Sequence, residues 1–182
     1  MYIKRVLSLL VSFAVIISAL CCLSPVTVSA ASKKFNMSYV YFGSTDSYVD
    51  FVDATRGSLD EVAPSYFDLN EDGSLKLTSK LDPDFIKAMH NRGIKVVPFL
   101  SNHWNRELGR KALKNRESLA REIAEAVKKH NLDGVNIDIE NLNEEDRNNY
   151  TDFVRLVREA LGKNKTVAVA VAANPSGRNT GW

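Results

Sequence analysis

The residues with the clearest chemical potential lie in one short stretch, Leu132-Asp133-Gly134-Val135-Asn136-Ile137-Asp138-Ile139-Glu140-Asn141. Polar and β-branched side chains alternate strictly from Val135 to Glu140. In a strand, alternate residues share a face. Val135, Ile137 and Ile139 then point outward into a covering layer of helices, and Asn136, Asp138 and Glu140 point the other way. Successive members of that polar row stand about 6–7 Å apart. Two carboxylates and an amide along a buried strand lose hydration and repel one another, so one carboxyl is expected to hold its proton near neutral pH. A protonated carboxylic acid at the C-terminal end of a parallel strand is what general acid catalysis requires. The same residues also fit idle, solvated positions at a strand end, or a magnesium site. The amide at Asn136 and the lack of a phosphate-binding loop argue against the metal, so no metal site is expected.

The surrounding sequence supplies elements able to position this row. Strands are expected at Met37–Gly43, Asp60–Leu69, Ile94–Leu100, Gly134–Ile139 and Thr166–Ala172, the second weakened by Pro64. Between them fall helical patterns. Asp82-Pro83 opens one that Gly93 closes. Glu117–His130 carries a stripe of Leu119, Ile123, Ala126 and Val127. Glu144–Leu161 carries Tyr150, Phe153, Val154, Val157 and Leu161 behind an Asn143 cap. The run from Arg106 to Glu117 is so rich in charge that a loop leading into a solvated helix face is expected there. Strand–helix alternation of this kind gives an α/β fold with a parallel sheet. An open doubly wound sheet would carry a glycine-rich phosphate loop after its first strand. Ser44-Thr45-Asp46-Ser47-Tyr48 is no such loop, which leaves the first part of a closed barrel.

Composition narrows the function further. The chain has 182 residues with 24 Lys and Arg against 22 Asp and Glu. Lys4 and Arg5 are the only charges in residues 1–30, so the remainder is balanced. That gives no reason to expect nucleic acid or an acidic membrane surface as partner. Residues 1–30 read as a secretory signal peptide: a basic start, an apolar centre, Pro25, and small residues at Val28-Ser29-Ala30. A retained anchor is the rival reading. Both cysteines, Cys21 and Cys22, fall in that leader, so the mature chain has no disulfide, thiolate metal site or cysteine nucleophile. Residues 31–36 form a polar lead-in, and residues 37–182 are expected to form one structural unit. A complete eight-fold barrel needs about 250 residues, more than this chain supplies.

The run Asp133-Gly134-Val135-Asn136-Ile137-Asp138-Ile139-Glu140 resembles the Asp-Gly-x-x-x-Asp-x-Glu signature on the fourth strand of family 18 glycoside hydrolases. The resemblance extends from about Met37 to Trp182. Ile139-Glu140-Asn141-Leu142, with the Glu-Asp-Arg and Tyr-Thr-x-Phe that follow, is most similar to the bacterial spore and cell-wall lytic branch. Many chitinases have Asp at the position of Asn136 and an aromatic at that of Ile139. The resemblance implies a (β/α)8 TIM barrel truncated after about five strands, without the sixth- and eighth-strand aromatics that complete the family's site. It also implies hydrolysis of β-1,4 bonds to N-acetylglucosamine in chitin or peptidoglycan, with no cofactor. Glu140 would protonate the glycosidic oxygen while the sugar's own 2-acetamido oxygen attacks, a named exception to the two-carboxylate scheme. Asp138 would hold the acetamido group, and Asn136 would donate a hydrogen bond to Asp138. Asp133 and Gly134 would support the site by shaping the start of the strand. Substrate contacts are expected from Tyr41, Trp104 and Asn141. A secreted or wall- or spore-associated monomer would follow. The alternatives are a non-catalytic carbohydrate-binding protein and an inactive fragment.

Three further features are read as background. Tyr39 shares a strand face with Tyr41, and both core packing and sugar stacking remain open for it. His90, His103 and His130 have no ligand spacing and are expected at the surface. Asp68-x-Asn70-x-Asp72-Gly73 opens like a calcium loop, but Ser79 stands where the bidentate Glu should be, so a solvated turn is expected.

Overall fold

The computed structural model describes residues 34–171. The expected leader, most of the polar lead-in and the stretch from Ala172 to Trp182 lie outside the described residues. Among the described residues there are eight strands: β1 (Met37–Val40), β2 (Glu61–Pro64), β3 (Phe67–Leu69), β4 (Leu75–Leu77), β5 (Lys95–Val96), β6 (Phe99–Ser101), β7 (Gly134–Asp138) and β8 (Thr166–Val169). The helices are α1 (Tyr48–Ala54), α2 (Pro83–Asn91), α3 (Arg106–Lys114), α4 (Arg116–Lys129) and α5 (Arg147–Leu161).

Two of the expected strands are each broken in two. β2 and β3 flank Ser65-Tyr66, just after Pro64, and β5 and β6 flank Val97-Pro98. Proline has no N–H to give a ladder, so regular pairing lapses beside it. The chain nevertheless keeps its course: Val97 N–H donates to Val62 C=O at 2.9 Å, and Asn136 N–H donates to Pro98 C=O at 2.9 Å. With each broken pair taken as one strand, five parallel strands follow in chain order, β1, β2/β3, β5/β6, β7, β8. A doubly wound sheet reverses its order at a switch point. No reversal occurs here, and the sequential order is that of a β/α barrel wall.

Three elements depart from the sequence-based expectations. The short helix α1 follows the first strand and buries Tyr48 and Val52, with the Tyr48 ring edge-on to Phe85 at 5.7 Å. β4 pairs antiparallel with β3, so the expected solvated turn after Asp68 is the bend of a hairpin. The charge-rich run from Arg106 is a helix. Asn105 caps it by accepting from Leu108 N–H, and its narrow stripe of Gly109, Ala112 and Leu113 is buried. Charge count misled because so thin a stripe is enough to dock a short helix.

The longer helices follow the expected stripes. Leu119, Ile123, Ala126 and Val127 of α4 are buried, as are Tyr150, Phe153 and Val157 of α5. Asn143 does cap this region, but it caps a 3₁₀ turn at Glu144–Asp146, through a capping box with Asp146, and α5 begins only at Arg147. Each large side chain so buried stabilises the fold by about 1.5–3 kcal/mol.

The Asp133-Gly134 pair ties the bases of three strands together. The Asp133 carboxylate accepts from Val96 N–H at 2.8 Å and pairs with His90 Nε2 at 2.8 Å. Its own N–H donates to Val96 C=O, and its C=O accepts from Thr166 N–H. Gly134, at φ +154°, brings β7 so close to β8 that a Cβ would stand 2.0 Å from the Thr166 carbonyl oxygen. Gly134→Ala is therefore expected to cost about 2–3 kcal/mol. A shifted urea midpoint at unchanged slope would register it, and an unshifted midpoint would refute the close-approach explanation.

Candidate active site

β7 presents its side chains in the two expected rows. Val135, Ile137 and Ile139 are fully buried in the hydrophobic core. On the other face Asn136 is buried, and Asp138 and Glu140 are half-buried at the C-terminal end of the strand. They open onto a cavity of about 720 Å³ whose lining includes Tyr39, Tyr41, Asp68, Phe99, His103, Asp138 and Glu140. The residues come from the C-terminal ends of four successive barrel strands, where β/α barrels carry their chemistry.

Both carboxyls are held above the usual carboxylate range. For Asp138 the cause is burial, which the nearby His103 partly opposes. For Glu140 the larger cause is again burial, and the charge of Asp138 adds to it. Loss of hydration is thus the leading cause for both, and repulsion contributes only at Glu140. The direction agrees with the expectation from the sequence, while the ranking of causes emerges only from the packing.

Asn136 does not behave as expected. Its Nδ2 donates to the hydroxyl of Tyr39 at 3.1 Å, and no hydrogen bond to Asp138 is present. Its buried Oδ1 has no partner among the described residues. Tyr39 lines the cavity and is 38% exposed, so it is not a core residue. Its ring stands edge-on to Phe99 at 5.4 Å. Its hydroxyl accepts from Asn136 and keeps its own proton as a donor. Burial raises the Tyr39 pKa most, the bond from Asn136 lowers it, and the two carboxylates raise it further.

Of the expected contact residues, Tyr41 lines the cavity, beside Phe99 at 6.0 Å. Trp104 and Asn141 do not line it. Asn141 sits at φ +58°, where the chain turns after β7. Its amide is occupied, donating to Trp104 C=O at 2.8 Å and accepting from Arg106 at 3.0 Å. Trp104, at φ +63°, is 59% exposed outside the cavity. Asp133 lies at the opposite end of β7, away from the cavity, where it ties the strand bases together. The histidines are less idle than expected. His90 pairs with Asp133, His103 pairs with Asp68 at 2.9 Å on the cavity wall, and His130 is half-buried. Among the described residues no cluster of His, Cys, Asp and Glu could hold a metal ion.

Phe99, Asp68 and His103 were missed by sequence reasoning. The first two sit at or near barrel-strand ends, a position that is itself a signal. His103 belongs to a loop, and nothing local marked it.

The sequence profile for "Glycosyl hydrolases family 18" matches residues 37–181. The uncharacterized glycosylase YvbX of Bacillus subtilis (strain 168) is 30% identical over 100 residues, covering 49% of this chain and 29% of that protein. The spore cortex-lytic enzyme SleL of Bacillus megaterium superposes with a TM-score of 0.67 at 21% identity, over 80% of this chain and 36% of that one. A chitinase from Chromobacterium violaceum superposes with a TM-score of 0.60 at 19% identity, over 73% of this chain and 44% of that one. The chain thus spans less than half the length of each of these relatives. The likeness identifies the fold as part of a (β/α)8 barrel.

Proposed function

The chain belongs to glycosyl hydrolase family 18, and from that premise we propose that the protein hydrolyses β-1,4 bonds to N-acetylglucosamine in chitin or peptidoglycan. The observation that carries this reading is the placement of Asp138 and Glu140 together on one cavity wall, both held toward their protonated forms.

In the mechanism we infer, Glu140 donates its proton to the glycosidic oxygen as the bond to the anomeric carbon breaks. The carbonyl oxygen of the sugar's own 2-acetamido group attacks that carbon, giving an oxazolinium ion and a neutral leaving alcohol. Asp138 orients the acetamido group and balances the positive charge that develops on it. The Glu140 carboxylate then takes a proton from water, which opens the ring with a second inversion and restores the acid. Two inversions give net retention. Tyr41 and Phe99 offer aromatic faces for sugar rings, and the Tyr39 hydroxyl offers a donor. The leader at residues 1–30 supports export, and residues 37–182 are the barrel portion. A secreted or spore- or wall-associated location fits both the leader and the substrate class.

The test is the requirement for the acetamido group. The full-length protein is incubated with chitin oligosaccharides, with their de-N-acetylated counterparts, and with purified peptidoglycan. Cleavage of an N-acetylated substrate alone, with the β-anomer as first product by proton NMR, is expected. Equal cleavage of de-N-acetylated chains, or α-anomer appearing first, would overturn the mechanism.

A further inference from the structure

We propose that Asn102 is the positioning residue of the acid, its carboxamide fixing the main chain of Glu140 at the cavity wall. The inference rests on the reading of Glu140 as the proton donor.

Among the described residues the hydrogen bonds at Glu140 are made by its main chain, which fixes where its side chain starts. β6 and β7 pair in parallel, with Ser101 opposite Asp138 as the last rung. Glu140 lies two residues past the end of that ladder, where its N–H and C=O have no strand partner. Asn102, fully buried just past the end of β6, replaces the missing rung with its side chain. Its Oδ1 accepts from Glu140 N–H at 2.9 Å, and its Nδ2 donates to Glu140 C=O at 2.9 Å. The second Nδ2 proton goes to Asn105 C=O at 2.9 Å. Both donors and the acceptor are thus used, which is the condition for burying an amide at little cost.

The neighbourhood is built around this contact. Arg106 Nε donates to Asn141 C=O at 2.7 Å, so the chain is also held on the far side of Glu140. His103 and Trp104 adopt consecutive left-handed conformations, at φ +49° and +63°. Strained residues persist only where their surroundings over-determine them. Here His103 N–H bonds Ser101 Oγ, and Trp104 C=O accepts from Asn141. Gly109 sits inside α3, although glycine is a poor helix former. A Cβ there would stand 2.9 Å from Asn102 Nδ2 and 3.1 Å from Ile139 Cγ2, so the glycine leaves room for the amide.

The test pairs kinetics with amide hydrogen exchange of the full-length protein. In Asn102→Ala, the Glu140 amide should exchange at least about tenfold faster, since it loses its acceptor. kcat should fall about 10–100-fold with KM within about threefold, because a misplacement near 1 Å costs about 10². Gly109→Ala relieves a poor helix residue yet displaces the amide, so it should lower kcat in the same way without loss of fold. Asn102→Asp keeps the acceptor, loses both donors and adds a charge, so the alkaline limb of its pH profile should move to higher pH. Unchanged exchange at Glu140 in Asn102→Ala, or kcat within threefold of wild type in all three variants, would overturn the proposal. The exchange readout needs no turnover. Protection that depends on Asn102 in a protein that hydrolyses nothing would uphold the clamp and overturn only the functional reading.

Discussion

Glu140→Gln is expected to lower kcat on N-acetylated β-1,4-linked substrates by about 10²–10⁴-fold, the usual worth of a positioned general acid. Glutamine keeps the volume and the hydrogen-bonding outline of the protonated acid. It has no proton to deliver to the leaving oxygen. Binding should be largely kept, since the amide can still donate where the carboxylic acid donated. Fluorescence or calorimetric titration with a chitin oligosaccharide would measure this. The main-chain bonds from Asn102 do not depend on the side chain at position 140, so thermal stability should hardly change. A variant that keeps more than about a hundredth of the wild-type rate would remove Glu140 from its role.

Asp138→Asn should lower kcat by about 10²–10³-fold, the range seen when one preorganised electrostatic partner of a developing charge is lost. It carries a second, independent signature in the pH profile. Glu140 must be protonated to act, so the rate falls as pH rises through its pKa. That pKa lies above the usual carboxylate range, chiefly through burial and then through the charge of Asp138. Removing the Asp138 charge lowers the Glu140 pKa, so the alkaline limb should move to lower pH. Asn102→Asp is expected to move the same limb the other way. Two substitutions that shift one limb in opposite directions would tie both residues to one titrating acid. An unmoved limb in Asp138→Asn would mean that Asp138 does not act on Glu140 through charge.

The polar row of β7 could be read from the sequence because its cause is local. A strand sends alternate side chains to opposite faces, so Val135, Ile137 and Ile139 share one face and Asn136, Asp138 and Glu140 the other whatever the strand packs against. The helical stripes of α4 and α5 were legible for the same reason. The prolines warned of weak strands at Pro64, but the matching break near Pro98 passed unnoticed inside an apolar run. α3 was hidden by its charge, because two turns of helix need only a few apolar positions to dock.

The partners in the site were not legible. Asn136 bonds Tyr39 across 97 positions of sequence, and Asn102 bonds Glu140 across 38. The bond from Asn136 to Asp138 is what the family resemblance implied, and it joins neighbours on one strand face. Asn141, directly after the motif, and Trp104, an aromatic residue following the third expected strand, were expected at the substrate. Their positive φ angles make them turn residues, and a turn is decided by where the chain must go next.

The sequence by itself therefore determined which residues could be acids, which face of the strand they share, and the alternation of strand and helix that carries them. These follow from covalent geometry repeated every two or every 3.6 residues. Only the tertiary structure decided that burial is the leading cause raising both pKa values, that Tyr39 holds Asn136, and that a side-chain amide just past the preceding barrel strand stands in for a rung beside Glu140. Hydration and hydrogen-bond partnership depend on every chain segment that comes within a few ångströms, and local periodicity carries no record of those segments.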